Sequence, residues 1–250
     1  MRYHVLNGDS LGNTFPEAKI PGDTVVVREA LMDGNLSGKT LEAFWQTRAN
    51  YIGVPDDEYH KAVATEFEKI INAPAGTEFN LWFEYDLFCQ VNMWFVLSLI
   101  QQLPGNKKVF AVYTTHLNKD DKNFWNGFGP AKAENLRFCF DHRVELNDAD
   151  LKSGTELWNA YKNNDLDKLA SLAEQHSSAF PYLKEVISAH IDRFPTQGRR
   201  GRPERVIEEI TKNISTDFNK VFQEFWKRES IYGFGDVQLK KIYDEVMHQK

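Results

Sequence analysis

The stretch Leu81-Trp82-Phe83-Glu84-Tyr85-Asp86-Leu87-Phe88-Cys89-Gln90 decides how this chain is read. An apolar run of strand character, residues 78–83, ends in two acids and passes at once into a nearly all-apolar segment of helical length, residues 87–103. A strand that feeds directly into a helix is the unit of a parallel sheet. Burying an unpaired charge costs several kcal/mol, so acids at such a junction mark a polar site or a helix cap.

The same grammar extends outward in both directions. Residues 3–6 and 24–27 are short apolar strands, the first ending at Asn7-Gly8-Asp9-Ser10 and the second at Arg28-Glu29. Between them Thr14 and Glu17 have capping-box spacing, with Pro16 in the first turn of a brief helix. Helices are predicted over residues 40–52 and 56–71, with a loop at 31–39 before them. Pro104-Gly105-Asn106 closes the central helix, a fourth strand follows at 107–113, and residues 136–140 read as a fifth. A long connection containing Gly127 and Gly129 has the length and position of a lid over the strand ends. Beyond residue 148 the periodicity is helical only, over 150–163, 166–176, 179–193, 203–212, 217–231 and 236–247. The expectation is an α/β fold: a Rossmann-like, mostly parallel sheet of about five strands with helices on both faces, followed by an all-helical C-terminal region. Residues 1–147 would form the α/β domain and 148–250 the helical region, with a helix-turn-helix-like end from residue 201.

Composition narrows the function. The chain has 250 residues, 42% of them hydrophobic, and a net charge of −6, ample for a core and unlike the basic field that nucleic acid or an anionic membrane selects. Residues 87–103 are interrupted by Gln90, Asn92, Ser98, Gln101 and Gln102, so they read as a core helix and not as a membrane span. Cys89 and Cys139 both lie in apolar runs, and two buried free thiols with no ligand spacing around them suit a reducing cytoplasm. The basic cluster Arg199, Arg200, Arg202 and Arg205 precedes three short helices and is the one feature compatible with nucleic-acid binding. Glu204, Glu208 and Glu209 beside it weaken that reading.

In an open parallel sheet, ligands bind outside the carboxyl ends of the strands. There the sequence places Asp9 and Ser10, Arg28 and Glu29, Glu84 and Asp86, and Thr114, Thr115 and His116. Carboxylates gathered in this way can hold a divalent metal such as Mg²⁺ or supply a general acid or base. Some have a plainer use: Asp86 stands at a helix N-cap, and Asp9 or Ser10 can serve the turn after the first strand, whereas Glu84 neither caps a helix nor sits in an evident loop. Gln90 lies four residues after Asp86 and so shares its helix face. Gly8-Asp9-Ser10-Leu11 spells the nucleophile block of GDSL-type esterases. The partner Asp57-Glu58-Tyr59-His60 comes too early and on a helix, and no Gly-x-Asn-Asp is present.

Taken together, Asn7-Gly8-Asp9-Ser10, Pro21-Gly22, Arg28-Glu29-Ala30-Leu31 with Asp33-Gly34, Arg48, and above all Trp82-Phe83-Glu84-Tyr85-Asp86-Leu87 with Gln90 resemble a bacterial family of unknown function, domain-of-unknown-function family eighteen thirty-five. Arg202-Pro203-Glu204-Arg205 and Gly235-Asp236 look like its later blocks. The resemblance spans most of the chain and implies that these positions form one site, without naming a reaction. The expected site has Asp9, Glu84 and Asp86 as acid/base groups or metal ligands, and Ser10, Arg28, Glu29, Arg48 and Gln90 as ligand-binding residues. The expected ligand is a small polar molecule, phosphate-bearing or metal-assisted, in a cytoplasmic hydrolase or transferase. The rival expectation is a regulatory or adaptor protein whose helical region binds nucleic acid or a protein partner.

Overall fold

The computed structural model describes residues 1–114, 127–175, 177, 179–196 and 198–248. Thr115 and His116 lie outside the described residues, as does most of the connection expected to form a lid.

Five strands form one sheet in the order β2-β1-β3-β4-β5: β1 (Arg2–Asn7), β2 (Asp23–Val27), β3 (Glu78–Trp82), β4 (Lys108–Val112) and β5 (Val144–Leu146). The first four are parallel, and β5 closes one edge antiparallel to β4. The chain leaves β1 to one side for β2, then crosses back to the other side for β3. The order therefore reverses between β1 and β3, where a parallel sheet opens a crevice at its carboxyl edge.

Alternation along the strands splits the apolar residues between two cores. Val5, Leu81 and Ala111 face the large core, while Leu6, Trp82 and Val112 face a smaller one closed by Leu11, Phe15, Leu136 and Cys139. The smaller face is covered by α1 (Asp9–Thr14), a 3-10 turn over Phe15–Ala18, and, further along the chain, the helix Ala133–Asp141. His4 is buried in it and fully used: Trp82 Nε1 donates to its Nδ1 at 3.2 Å, and its Nε2 lies 3.2 Å from the Pro21 carbonyl oxygen. Burial holds this imidazole below the usual histidine range.

On the other face lie α2 (Leu41–Ile52), α3 (Asp56–Tyr59) continuing through a π turn into α4 (Thr65–Ile71), and the central helix α5 (Leu87–Gln101). Thirteen of the fifteen residues of α5 are buried, so no side of it is left for water. Its outer side is covered by α7 (Asp148–Lys162), which follows α6 (Ala133–Asp141) and β5. Gly154 makes that approach close, since a Cβ there would sit 2.6 Å from Leu97 Cδ1 and 2.8 Å from Leu97 Cβ. The chain continues through α8 (Leu166–Ala173), α9 (Leu183–Asp192), α10 (Arg202–Asn213), α11 (Phe218–Glu229) and α12 (Asp236–His248). The last three pack on one another. The large core runs from Val5 through Leu157 to Val246 without a break, so the helical region shares the core of the sheet. None of the described helices is long and apolar enough to cross a membrane.

Two local expectations fail. Residues 136–140 belong to helix α6, and the fifth strand is Val144–Leu146. Leu136, Cys139 and Phe140 have the i, i+3, i+4 spacing of a helix face, and the Asn135 side chain accepts from Lys132 N at 2.9 Å to fix the helix start. Thr14 is also no capping-box residue. It continues α1, and its hydroxyl turns back to the Ser10 and Leu11 carbonyls.

The Leu97–Gly154 contact leaves no room for a branched side chain. Gly154→Val is expected to destabilise the protein by about 1–3 kcal/mol through overpacking, read as a lowered urea midpoint at unchanged slope.

Candidate functional site at the strand ends

At the reversal point, β3 ends and the chain turns through Phe83, Glu84 and Tyr85 before α5 begins. Asp86 is the N-cap: its backbone is extended and its Oδ1 accepts from Cys89 N at 3.0 Å. Gln90, on the same face, donates from Nε2 to the Glu84 carbonyl at 2.7 Å and so fixes the turn from behind. The Glu84 side chain is held from two sides. Oε1 accepts from Phe128 N at 2.6 Å, and Oε2 accepts from the Cys89 thiol at 3.2 Å.

Two glycines press backbone against the acids. Gly127 and Gly233 both have φ of +64°, and a Cβ on either would lie 2.1 Å from Glu84 Oε1 or Asp86 Oδ1 respectively. Each is the first residue of a Gly-Phe-Gly triplet, at 127–129 and 233–235, with Phe128 and Phe234 buried as anchors. The second triplet belongs to the helical region, which therefore closes one wall of the site.

Asp86 is 4% exposed, and neither it nor Glu84 forms a salt bridge among the described residues. Burial, and then the neighbouring Glu84 charge, push the Asp86 carboxyl up to about 7. The same burial, with Asp86 and Glu84 beside it, pushes the Cys89 thiol well up, so Cys89 stays protonated and acts as a donor. Oxygen and sulfur atoms of Glu84, Asp86 and Cys89 all lie within 4.8 Å of one another, close enough to hold one cation. A cavity of about 210 Å³ opens beside them. Glu84, Asn7 and Ser10 supply polar wall, with Thr14 further out, and Trp82 and Phe128 supply the apolar part.

The other expected residues are placed differently. Glu29 and Arg48 face each other in the core, with side chains 0% and 1% exposed. Arg48 Nε and Nη2 grip Glu29 at 3.0 and 2.7 Å, Nη2 also reaches the Ala30 carbonyl, and Nη1 donates to the Asp33 and Asn35 carbonyls. Glu29 further accepts from Tyr59 OH and from Ala30 N. Every donor of the guanidinium is consumed within the protein, which leaves Arg48 no edge for a ligand anion. Arg28 pairs with Asp9 at 2.8 Å on the outside, where Asp9 is 56% exposed, and donates to the Ala62 carbonyl. Asp9 is thus at the surface beside the cavity and not among its walls, and Ser10 sits on the rim.

Asn92 links these groups and was not foreseen. It lies on α5, fully buried, donating to Asn7 Oδ1 at 2.9 Å and to the Glu29 carbonyl at 2.6 Å while accepting from Leu31 N at 3.2 Å. Asn7 in turn donates to Cys89 Sγ at 2.9 Å. A continuous chain of hydrogen bonds therefore runs from Glu29 through Asn92, Asn7 and Cys89 to Glu84. An amide between apolar neighbours, Val91 and Met93, was the visible signal for Asn92. The repeated Gly-Phe-Gly triplet was the signal for Gly127 and Gly233.

Two arginines of the basic cluster in the C-terminal region, Arg200 and Arg202, are ion-paired within the protein. Arg202 pairs with Glu229 and Asp192, Arg200 with Glu208, and Arg205 donates to the Arg200 carbonyl.

Fold and site together define an α/β protein of mostly parallel sheet with an acidic cleft at its strand-order reversal. No family model, no curated protein and no solved structure matches the chain.

Two measurements check this description. A carboxyl whose folded-state value is raised from 3.8 to about 7 keeps its proton longer in the folded than in the unfolded chain. Its contribution to stability is complete below the lower value and is lost as pH rises through the upper one. Asp86→Asn, which retains a good N-cap, should flatten the fall in stability between those limits relative to wild type, read by urea unfolding against pH. Arg48→Met, which strands Glu29 in the core, should cost about 3–5 kcal/mol, whereas Arg28→Ala should cost no more than about 1 kcal/mol.

Proposed function

We propose that the cleft between β1 and β3 binds a small polar ligand against Glu84 with the help of a divalent cation such as Mg²⁺, as a hydrolase or transferase would. One observation carries this reading. Glu84 lines a pocket at the crevice of a parallel sheet, Asp86 and Cys89 lie buried behind it within 4.8 Å, and no described guanidinium or ammonium pairs with the two acids. Such a group has a standing demand for a proton or a cation. With Arg48 spent on Glu29 and Arg28 on Asp9, an anionic ligand would enter bridged by a metal and not clamped by arginine. Glu84 would be the contact carboxylate. Asp86, behind it and exchanging a proton in the neutral range, would set the charge of the pair.

The test is thermal stability and calorimetry with Mg²⁺, Mn²⁺ and Zn²⁺, each with and without a panel of nucleotides and sugar phosphates. A cation is expected to raise the melting temperature by mass action, with Mg²⁺ or Mn²⁺ favoured by the two carboxylates. Glu84→Gln should abolish the shift. Preference for Zn²⁺ with release of a proton would bring Cys89 in as a ligand. No response to any cation or ligand, or a response unchanged in Glu84→Gln, sinks the proposal.

A further inference from the structure

A second cavity, of about 530 Å³, lies between the loop after β2, the ends of α7, α9 and α10, and the middle of α12, and shares no wall residue with the strand-end cleft. His190 forms part of its wall and is 4% exposed, yet neither ring nitrogen has a hydrogen-bond partner. The contrast is His4, equally buried, with both nitrogens satisfied. Burial and then the nearby Arg193 push the His190 imidazole down to about 3, so it presents one donor and one acceptor and no charge.

One further group of the same wall is under-used. Glu204 forms no ion pair among the described residues, and its buried Oε2 has no hydrogen-bond partner. Arg193, on the same wall, is ion-paired with Asp33 Oδ1 at 3.3 Å, donates to the Met32 carbonyl at 3.2 Å, hydrogen-bonds Tyr161 and lies over the Phe234 ring. These charges do not pair with each other, although α9 ends and α10 begins on the same cavity. Tyr161 and Phe194 add aromatic surface, and the Tyr161 hydroxyl is already spent on the Met32 carbonyl. Lys162 also borders the cavity, but its Nζ is committed to the Gly38 carbonyl at 2.9 Å.

We propose that this cavity binds a small zwitterion of the amino-acid class, its carboxylate on Arg193, its ammonium on Glu204, and His190 hydrogen-bonded between them. The ammonium supplies the partner that Glu204 lacks, and the carboxylate joins Asp33 on the guanidinium of Arg193. The aromatic flank suits an apolar body on that ligand.

Calorimetric titration of the full chain with the standard amino acids tests this. At least one should bind saturably, and its two truncated analogues, the amine without the carboxylate and the acid without the amine, should each bind at least about tenfold more weakly. Glu204→Gln should weaken binding by a similar factor. Its melting temperature should stay level or rise, because an unpaired carboxylate is removed from partial burial. Three results overturn the proposal: no amino acid binding at millimolar concentration, analogues binding as well as the zwitterion, or full affinity in a folded Glu204→Gln. Ordered water alone on His190 and Glu204 in a crystal soaked with the amino acids would count with the first of these.

Discussion

The enclosure of α5 is the constraint on which the rest depends. A helix buried at thirteen of its fifteen residues leaves little access for water to its first turn, where backbone donors are unpaired by geometry. Those donors, and every polar side chain nearby, must find partners inside the protein. Asp86 takes the cap, Gln90 takes the Glu84 carbonyl, and Asn92 spans the ends of β1 and β2. The acids at the junction are therefore a structural necessity before they are a functional opportunity. The necessity is met with a carboxylate in excess, since one cap would have sufficed and Glu84 is a second charge.

Two ways of burying charge sit side by side, and they differ in completeness. Glu29 and Arg48 cancel each other, with every donor of the arginine engaged, and such a pair holds the loop after β2 rigidly against α2 and α3. Glu84 and Asp86 have only neutral donors: a backbone N–H each and one thiol. Neutral donors soften a carboxylate's desolvation but do not cancel its charge. The first arrangement leaves no charge without an opposite partner, while in the second burial and the neighbouring acid raise the Asp86 carboxyl. Chemistry is to be sought where compensation is incomplete.

Strands β1 to β4 were legible because each is a β-branched or aromatic run bounded by Gly, Pro or a polar cluster, and neighbouring strands do not alter that signal. Residues 136–140 were not, since Leu, Phe and Cys suit either a buried strand or a helix face, and five residues are too few for the period to decide. The site was legible by half. Asp86 as a cap and Glu84 as something more follow from local spacing, but the fate of each arginine depended on contacts across the chain. Arg48 and Glu29 are 19 residues apart in sequence, and nothing local says that they meet each other and not a ligand. Phe128, 44 residues from Glu84, was equally invisible as its backbone donor.

Gly233 shows why the helical region belongs to the site and is not an appendage. Its backbone lies directly on the Asp86 carboxylate, held there by Tyr232 and Phe234, whose rings stack at 5.1 Å. Any side chain at that position would displace one or the other. The desolvation that raises Asp86 is thus imposed partly from residues 232–234, more than a hundred positions beyond the sheet's third strand in sequence. If that cover opened, water would reach Asp86 and its carboxyl would return toward the ordinary range, and the pair would lose its demand for a proton. The ionisation of Asp86 and the seating of the 232–234 turn are therefore two sides of one equilibrium: stabilising the protonated acid also favours the closed turn.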